Sequence, residues 1–285
     1  MNCSTSYDRC ITMKKFLNIR PLENSEIALA NSLVPVEWNF SLLQFYNSHP
    51  ERDSYRIFGA FIENKLVGFG DVVINGHTGW LANIVINSEN RTRGYGQAIT
   101  MFLLDYLKTQ NCRTILTMTN DANRVNYQKL GFLTSSVYCV LKGSHINSLH
   151  EFKYLRRIDE KDREEILRLD SISTNEDRSI LLNGFVSTGW VYENPADGGV
   201  EGFYLPGFCE GPVTASNTDA GLKLLQLKHS LSLKDAILPC DNKAAVDFLK
   251  KNHFREKGLI HRMVIGEDLD WKQEMIFSRA GRFGA

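Results

Sequence analysis

The residues of clearest chemical interest form a short turn between a predicted strand and a predicted helix. The strand covers Trp80 to Ile86, and the helix covers Gln97 to Lys108, where apolar residues recur at positions 98, 99, 102, 103, 106 and 107. Between them the sequence reads Arg91-Thr92-Arg93-Gly94-Tyr95-Gly96. A glycine-rich turn that runs into a helix can point consecutive backbone N–H groups into one concavity, so we expect it to bind a pyrophosphate.

This turn differs from the two best-known nucleotide-binding patterns. It lacks the third glycine of a dinucleotide fingerprint, and it has no Gly-Lys-Ser or Gly-Lys-Thr of a P-loop. Glycine is needed where φ is positive or where a side chain would block a phosphate. A Gly-x-Gly before a helix is equally typical of an ordinary flexible turn, so the turn alone leaves that alternative open.

A second motif follows at Asn120, Tyr127, Gly131 and Phe132, spaced as Asn, six residues, Tyr, three residues, Gly-Phe. With these two motifs in this order, the stretch from Phe16 to Leu141 resembles the GNAT superfamily of N-acetyltransferases. The resemblance implies that acetyl-CoA is the co-substrate. It also implies that the turn holds the CoA pyrophosphate and that the backbone near Ile84, Val85 and Ile86 binds the pantetheine like an added strand.

The residues that this resemblance assigns to cofactor binding fall in three stretches of the chain: Ile84, Val85 and Ile86; Arg91, Thr92, Arg93, Gly94, Tyr95, Gly96 and Gln97; and Asn120 and Arg124. The arginines are candidates for side-chain contacts to phosphate oxygens, although a solvated surface arginine is the commoner role.

Tyr127 matches the general acid of the family. A phenol with a pKa of about 10 can give its proton to a thiolate leaving group whose pKa is about 8.5. The alternative is a core tyrosine that packs its helix. Asn120 either orients the thioester or caps the following helix, and the sequence does not separate these roles.

The sequence does not identify the general base. A primary amine has a pKa of about 10 and must lose a proton before it attacks. The strand position where family members often carry a carboxylate is occupied by Asn83, which cannot act as a base. Glu37, Asp71 and His77 are open candidates, and each is also an ordinary surface or loop residue type.

We expect an α/β fold in which two tandem GNAT-like domains each have a mixed, mostly antiparallel central sheet flanked by helices. The predicted boundaries are a leader at 1–15, a catalytic domain at 16–143, a linker at 144–151 and a second domain at 152–285. The second domain rests on an internal repeat, because Asn120 to Phe132 and Asn242 to Phe254 match at an offset of 122 residues.

The second half contains Asp177-Arg178, Gly211-Pro212-Val213, Asn242 to Phe254 and Arg262-Met263-Val264-Ile265-Gly266. On these residues it resembles the acetyltransferase-like domain of YitH-type tandem proteins, but its phosphate turn is lost. At the same offset, Ser216 and Thr218 replace the two glycines, and Pro206, which has no N–H, replaces Ile84. We therefore expect one acetyl-CoA site per chain. The second half would then wall the acceptor pocket with residues such as Asp177, Arg178, Tyr192 or Tyr204, unless these are helix-start and core residues.

The amino-acid composition argues against several other classes of function. The 33 basic and 33 acidic residues cancel, which argues against a nucleic-acid or anionic-membrane partner. With no apolar stretch of signal-peptide or membrane-spanning length, we expect a cytosolic protein, either a monomer or a homodimer. The six scattered cysteines have no metal-ligand spacing, and we expect free thiols and no metal.

These observations together predict an N-acetyltransferase that moves an acetyl group from acetyl-CoA to a primary amine by direct attack in a ternary complex. The acceptor is expected to be a small molecule or an amino acid. The alternative is a non-catalytic acyl-CoA-binding regulatory protein, favoured by the missing base.

Overall fold

The computed structural model describes residues 17–38, 40–48, 54–146 and 153–281. Contacts divide the chain into two compact units, Met1–Ile115 and Leu116–Ala285. The predicted leader and most of the predicted linker lie outside the described residues. The domain boundaries proposed from the sequence therefore stay a prediction.

In the first unit, four antiparallel strands lie side by side in chain order. They are β1 Asn18–Pro21, β2 Tyr55–Ile62, β3 Lys65–Asn75 and β4 Thr78–Ile86. The turn between β2 and β3 has positive φ at Glu63 and Asn64, as a tight two-residue hairpin requires. The apolar runs at 57–63 and 66–74 predict this turn at Asn64-Lys65, so the observed turn lies one residue earlier.

The described residues of this unit form three α-helices: α1 Ile27–Asn31, α2 Leu42–Ser48 and α3 Tyr95–Thr109. The apolar face predicted for α3 is the buried one, because Ile99, Leu103 and Leu107 have no exposed surface. Glycines in the sheet make room for this helix. A Cβ on Gly79 would lie 2.7 Å from the Leu107 side chain, so α3 packs closely on the sheet.

The second unit contains a four-stranded arrangement in the order β5-β12-β6-β11. The strands are β5 Thr114–Asn120, which spans the division between the units, β6 Leu133–Lys142, β11 Ala236–Pro239 and β12 Arg255–Gly266. β12 and β11 both pair antiparallel with β6. A strand from the end of the chain thus lies between two strands of the first half.

A second sheet has the order β13-β10-β9-β8-β7 with antiparallel pairing throughout. Its strands are β7 Leu155–Arg157, β8 Trp190–Glu193, β9 Val200–Tyr204, β10 Val213–Ala215 and β13 Ile276–Ser278. The helices of the unit are α4 Asp121–Gln128, α5 Arg163–Thr174, α6 Ser179–Leu182, α7 Thr218–Leu231 and α8 Lys243–Lys251. The apolar character of 200–208 predicts a longer strand than β9, which ends at Tyr204, before Pro206.

The internal repeat is visible in the element bounds. Subtracting 122 from α7 gives 96–109, which overlaps α3, and subtracting it from α8 gives 121–129, which overlaps α4. The same shift lays β11 on β5 and β12 on β6. The two helix caps also correspond, since Asn120 accepts from the Asn123 N–H at 3.1 Å and Asn242 from the Ala245 N–H at 3.2 Å.

The expectation of free thiols is wrong for two cysteines. Cys139 of β6 and Cys240, which directly follows β11, form a disulfide. Their pairing follows from the register of these strands, in which Cys139 faces Leu238. Cys112 and Cys209 are free thiols, and burial raises the pKa of Cys112 to about 11.

The predicted fold class, α/β with helices packed on sheets, is confirmed. Among the helices of the described residues, none has both the length and the apolar character that crossing a bilayer requires.

Candidate functional site

The end of β4 and the turn after it form a partly exposed edge. Val85 is buried, while Ile84 and Ile86 are half-buried. The turn continues through a short 3-10 segment at Ser88–Asn90. The Arg91 side chain closes the turn, because its Nε donates to the Ile86 carbonyl at 3.2 Å.

Gly94 is the N-cap of α3 and has φ 80° and ψ 1°, in the left-handed region. No side chain caps this helix at its N-terminus. The first helical N–H groups, those of Tyr95, Gly96 and Gln97, have no partner within the helix by its geometry. Thr92 is also left-handed, with φ 64°. The turn therefore presents consecutive amides at the positive end of a helix dipole, the arrangement that binds anions.

The space around the two glycines is open. A Cβ on Gly94 would meet no atom within 4 Å, and one on Gly96 would meet only the Ile86 side chain, at 3.9 Å. The positive φ explains why position 94 is glycine. Position 96 has neither a positive φ nor a close neighbour, so the packing of the protein itself does not explain that glycine. The close approach of an external group would explain a glycine at position 96.

The other predicted side chains of the turn face outward. Arg91, Thr92, Arg93 and Gln97 are exposed, and Tyr95 is half-buried. The arginines therefore lie at the surface beside the amides, where a phosphate could be reached.

The remaining predicted residues lie on β5 and α4 in the second unit. Asn120 is the N-cap of α4, and its side-chain oxygen is used for that cap. Asn242 caps α8 in the same way in the second half. Capping is therefore the role that the structure shows for Asn120. Arg124 is half-buried, and its buried Nε has no hydrogen-bond partner within the described residues.

Tyr127 is half-buried, and its ring meets Phe132 edge to face with centroids 5.4 Å apart. Burial raises the pKa of Tyr127, and a hydrogen bond with Thr117 partly opposes this shift. The phenol thus keeps its proton at neutral pH, which a proton donor must do. It is therefore both a packed aromatic and a candidate acid.

The three candidate bases have different surroundings. Glu37 is exposed on a 3-10 segment. His77 is exposed in the turn before β4, at the opposite end of that strand from Ile86, which places it far from the glycine turn. Asp71 of β3 is fully buried and accepts hydrogen bonds from Tyr55 at 2.8 Å and Asn83 at 2.9 Å.

The sequence reasoning missed this grouping of Tyr55, Asp71 and Asn83. The available signal was weak: Asp71 and Asn83 are polar residues inside runs that are otherwise apolar. Their contact depends on the register between β3 and β4, which the local pattern does not reveal.

At the corresponding position of the second half, the described residues form no open turn. The N-cap of α7 is Asn217, in an extended conformation, and its side chain accepts from the Ala220 N–H at 3.0 Å. Ser216 bonds to the Glu201 carbonyl through both its N–H and its hydroxyl. This helix start is thus closed by the protein's own side chains, in contrast to Gly94.

The second-half residues considered for the acceptor pocket have structural partners. The Asp177 side chain accepts a hydrogen bond from the Ser179 N–H at 3.1 Å, and the residue lies just before α6 rather than within a helix. Arg178 is buried and bonds to Asp170, Nε to Oδ2 at 2.9 Å. Tyr192 donates to a carboxylate at 2.7 Å, and Tyr204 is buried in the core.

Comparison with known proteins extends these observations. Residues 24–132 match the family model described as Acetyltransferase (GNAT) family. No curated protein matches the chain at a significant level. A solved structure of a candidate acetyltransferase from Pyrococcus horikoshii is similar over 95% of this chain and 96% of its own, with a TM-score of 0.80 and 17% identity, which shows a shared fold.

Two further solved structures cover only part of the chain. Spermidine/spermine N-acetyltransferase SpeG from Vibrio cholerae, in complex with manganese ions, covers 48% of this chain and 88% of its own, at 20% identity and a TM-score of 0.39. PaiA N-acetyltransferase from Thermoplasma acidophilum, in complex with coenzyme A, covers 42% and 91%, at 16% identity and a TM-score of 0.37.

Proposed function

Because residues 24–132 match the GNAT acetyltransferase family model, we propose that this protein transfers an acetyl group from acetyl-CoA to a primary amine on a small molecule or amino acid. The observation that carries the proposal is the open amide turn at Gly94 and Gly96. It is an anion site at a helix N-terminus, with room for a diphosphate where side chains would otherwise stand.

In this proposal the chain's own groups have separate roles. The amides of the turn and of the first turn of α3 hold the pyrophosphate of the co-substrate. The half-buried edge of β4 at Ile84 and Ile86 receives the pantetheine as an added strand. Arg91, Arg93 and Arg124 contribute positive charge beside the phosphates.

The transfer itself is a direct attack in a ternary complex. The acceptor ammonium first loses one proton to solvent, and the neutral nitrogen then forms a bond to the thioester carbon. As the C–S bond breaks, Tyr127 gives its proton to the departing sulfur and recovers one from the acylated nitrogen. Asn120 holds the first turn of α4 and thereby the position of Tyr127.

The closed helix start at Asn217 supports one co-substrate site per chain. Binding stoichiometry measured by calorimetry tests this directly. We expect one acetyl-CoA per chain, and two would contradict the assignment.

A matched pair of glycine variants tests the turn. Gly94→Ala should weaken acetyl-CoA binding, whereas Gly76→Ala, at another left-handed glycine with open space in the turn between β3 and β4, should not. Both variants place an alanine at a positive φ in open space, so the main difference is the position relative to the phosphate. Equal affinity in the two variants would remove the basis of the proposal.

Turnover separates an enzyme from a binding protein. Release of free thiol from acetyl-CoA in the presence of an amine panel is expected, and Tyr127→Phe should slow it without weakening acetyl-CoA binding. Tight binding with no turnover on any amine would favour the non-catalytic acyl-CoA-binding alternative.

A further inference from the structure

Strand β4 contains a bulge at the centre of the first unit. Phe69 of β3 faces Val85, but Asp71 faces Ala82, so that two residues of β4, Asn83 and Ile84, stand opposite Gly70 alone. Asn83 has φ 46°, in the left-handed region that asparagine tolerates better than most residues. Bulges of this kind redirect a side chain and are common beside active sites.

The redirected Asn83 side chain belongs to a buried hydrogen-bonded group. Its Nδ2 donates to Asp71 Oδ2 at 2.9 Å, and the Tyr55 hydroxyl donates to the same oxygen at 2.8 Å. Asn83 is 4% exposed and Asp71 is fully buried. A carboxylate only accepts hydrogen bonds, so Asp71 fixes which end of the Asn83 amide turns toward it.

The other end of the Asn83 amide is its oxygen, Oδ1. Asn83 Oδ1 is buried and has no hydrogen-bond partner among the described residues. A buried acceptor left without a donor costs about 1–3 kcal/mol, and native proteins retain few of them. An N–H donor from a bound molecule would satisfy it.

The group lies on the opposite face of the sheet from the phosphate turn. A Cβ on Gly70 would lie 2.8 Å from both Ile99 and Leu103, so that face of β3 is covered by α3. Side chains alternate along a strand, and Asp71 therefore points to the other face. On that face the Tyr55 ring packs against Phe45 of α2, with centroids 4.9 Å apart.

We propose that the Asn83 side-chain oxygen accepts a hydrogen bond from the amino group of the acceptor, which enters β4 from the α2 face, and that Asp71 is the positioning residue that holds the amide. This inference rests on the proposed acetyl transfer and names its acceptor-contacting group. In this proposal the co-substrate and the acceptor approach β4 from opposite faces.

A pair of asparagine variants provides the test. Asn83→Gly removes the amide but retains a residue that adopts the left-handed conformation freely. The matched control is Asn64→Gly, at the exposed left-handed position of the turn between β2 and β3. Asp71→Asn keeps the shape of the carboxyl group but supplies a donor that can occupy Asn83 Oδ1.

The steady-state constants are measured with 2-phenylethylamine and spermidine as probe amines. For Asn83→Gly and Asp71→Asn we expect the KM of the amine to rise about tenfold, the scale of one lost hydrogen bond to a substrate. The KM of acetyl-CoA should stay within about twofold. Asn64→Gly should leave both constants at their wild-type values.

A second readout does not depend on turnover. In the presence of CoA, the probe amines should raise the melting temperature of the wild type and of Asn64→Gly, but raise it less in Asn83→Gly. Equal amine KM values and equal thermal shifts in a folded Asn83→Gly variant would overturn the inference. A parallel rise of both KM values would also overturn it, because it would mean that Asn83 only shapes the strand.

Failure of the proposed acetyl transfer would give a different experimental result from failure of the acceptor contact. If the wild type binds acetyl-CoA but acetylates no amine, the transfer proposal fails whatever the Asn83 variants do. If the wild type acetylates amines and Asn83→Gly does so with unchanged constants, only the acceptor contact fails.

Discussion

Replacing Gly96 with alanine should strengthen the fold and weaken the co-substrate site at the same time. Gly96 lies in the first turn of α3, without a positive φ and with only one distant neighbour for a new methyl group, the Ile86 side chain at 3.9 Å. The protein therefore has no internal reason to exclude alanine here. The alanine methyl group would interfere only with a molecule that approaches the start of α3 from outside.

The expected size of the stability gain follows from helix propensity. Glycine inside a helix is less favourable than alanine by about 0.5–1 kcal/mol. For folded units of this size, each kcal/mol corresponds to about 2–4 °C in melting temperature, so Gly96→Ala should melt about 1–4 °C higher than the wild type. A methyl group in the path of the diphosphate should weaken acetyl-CoA binding about tenfold or more, which corresponds to at least about 1.4 kcal/mol.

The assay combines thermal melting without ligand and isothermal calorimetry with acetyl-CoA. Gly258→Ala is the control, because that glycine of β12 is also exposed with open space around it. The control should change acetyl-CoA affinity by less than about twofold. A Gly96→Ala variant that is more stable and binds acetyl-CoA as tightly as the wild type would refute the reasoning about the open turn.

Three further outcomes test the structure. Asn242→Ala should lower the free energy of unfolding by about 1–3 kcal/mol in chemical denaturation, because it removes the N-cap of α8 and the two hydrogen bonds that this side chain donates to the Glu274 and Ile276 carbonyls, and an unchanged midpoint would contradict these roles. Asp170→Asn should destabilise the protein by about 1–3 kcal/mol, since it removes the charged acceptor of two hydrogen bonds from the fully buried Arg178, and a loss below about 0.5 kcal/mol would show that the pair is dispensable. The hydrogen bond from Arg20 lowers the pKa of Glu26 from its ordinary value of 4.5 to about 2. The ionised Glu26 therefore stabilises the folded state fully above about pH 4.5, and this contribution disappears as the pH falls toward 2. Glu26→Gln should flatten that part of the acid-unfolding curve, and an unchanged curve would count against the pair.

The local elements were largely predictable from the sequence. The spacing of Ile99, Leu103 and Leu107 predicted the buried face of α3, and the glycine turn before it adopts the left-handed conformation that its sequence indicates. The identification of a GNAT acetyltransferase domain is confirmed for the first half by the family match over residues 24–132. The likeness of the second half to YitH-type domains stays a prediction. These features depend on residues close together in the chain, which is why the pattern reveals them.

The long-range pairings were not predictable in the same way. The disulfide between Cys139 and Cys240 joins residues 101 positions apart, and only the pairing of β6 with β11 places them side by side. The contact between Asp71 and Asn83 depends on a bulge that changes which residues face one another. A change of one residue in register turns a side chain to the other face, and local composition does not encode that choice.

The position of β12 has a consequence for how the chain is made. Residues 255–266 leave the ribosome long after β5 and β6, yet they fill the place between those two strands. Until β12 has been made, the strand that leads to Asn120 and Tyr127 has an unpaired edge, which is prone to wrong pairing with other chains. A shortened gene product that stops at the predicted linker would retain both sequence motifs and still lack the strand that closes this part of the sheet.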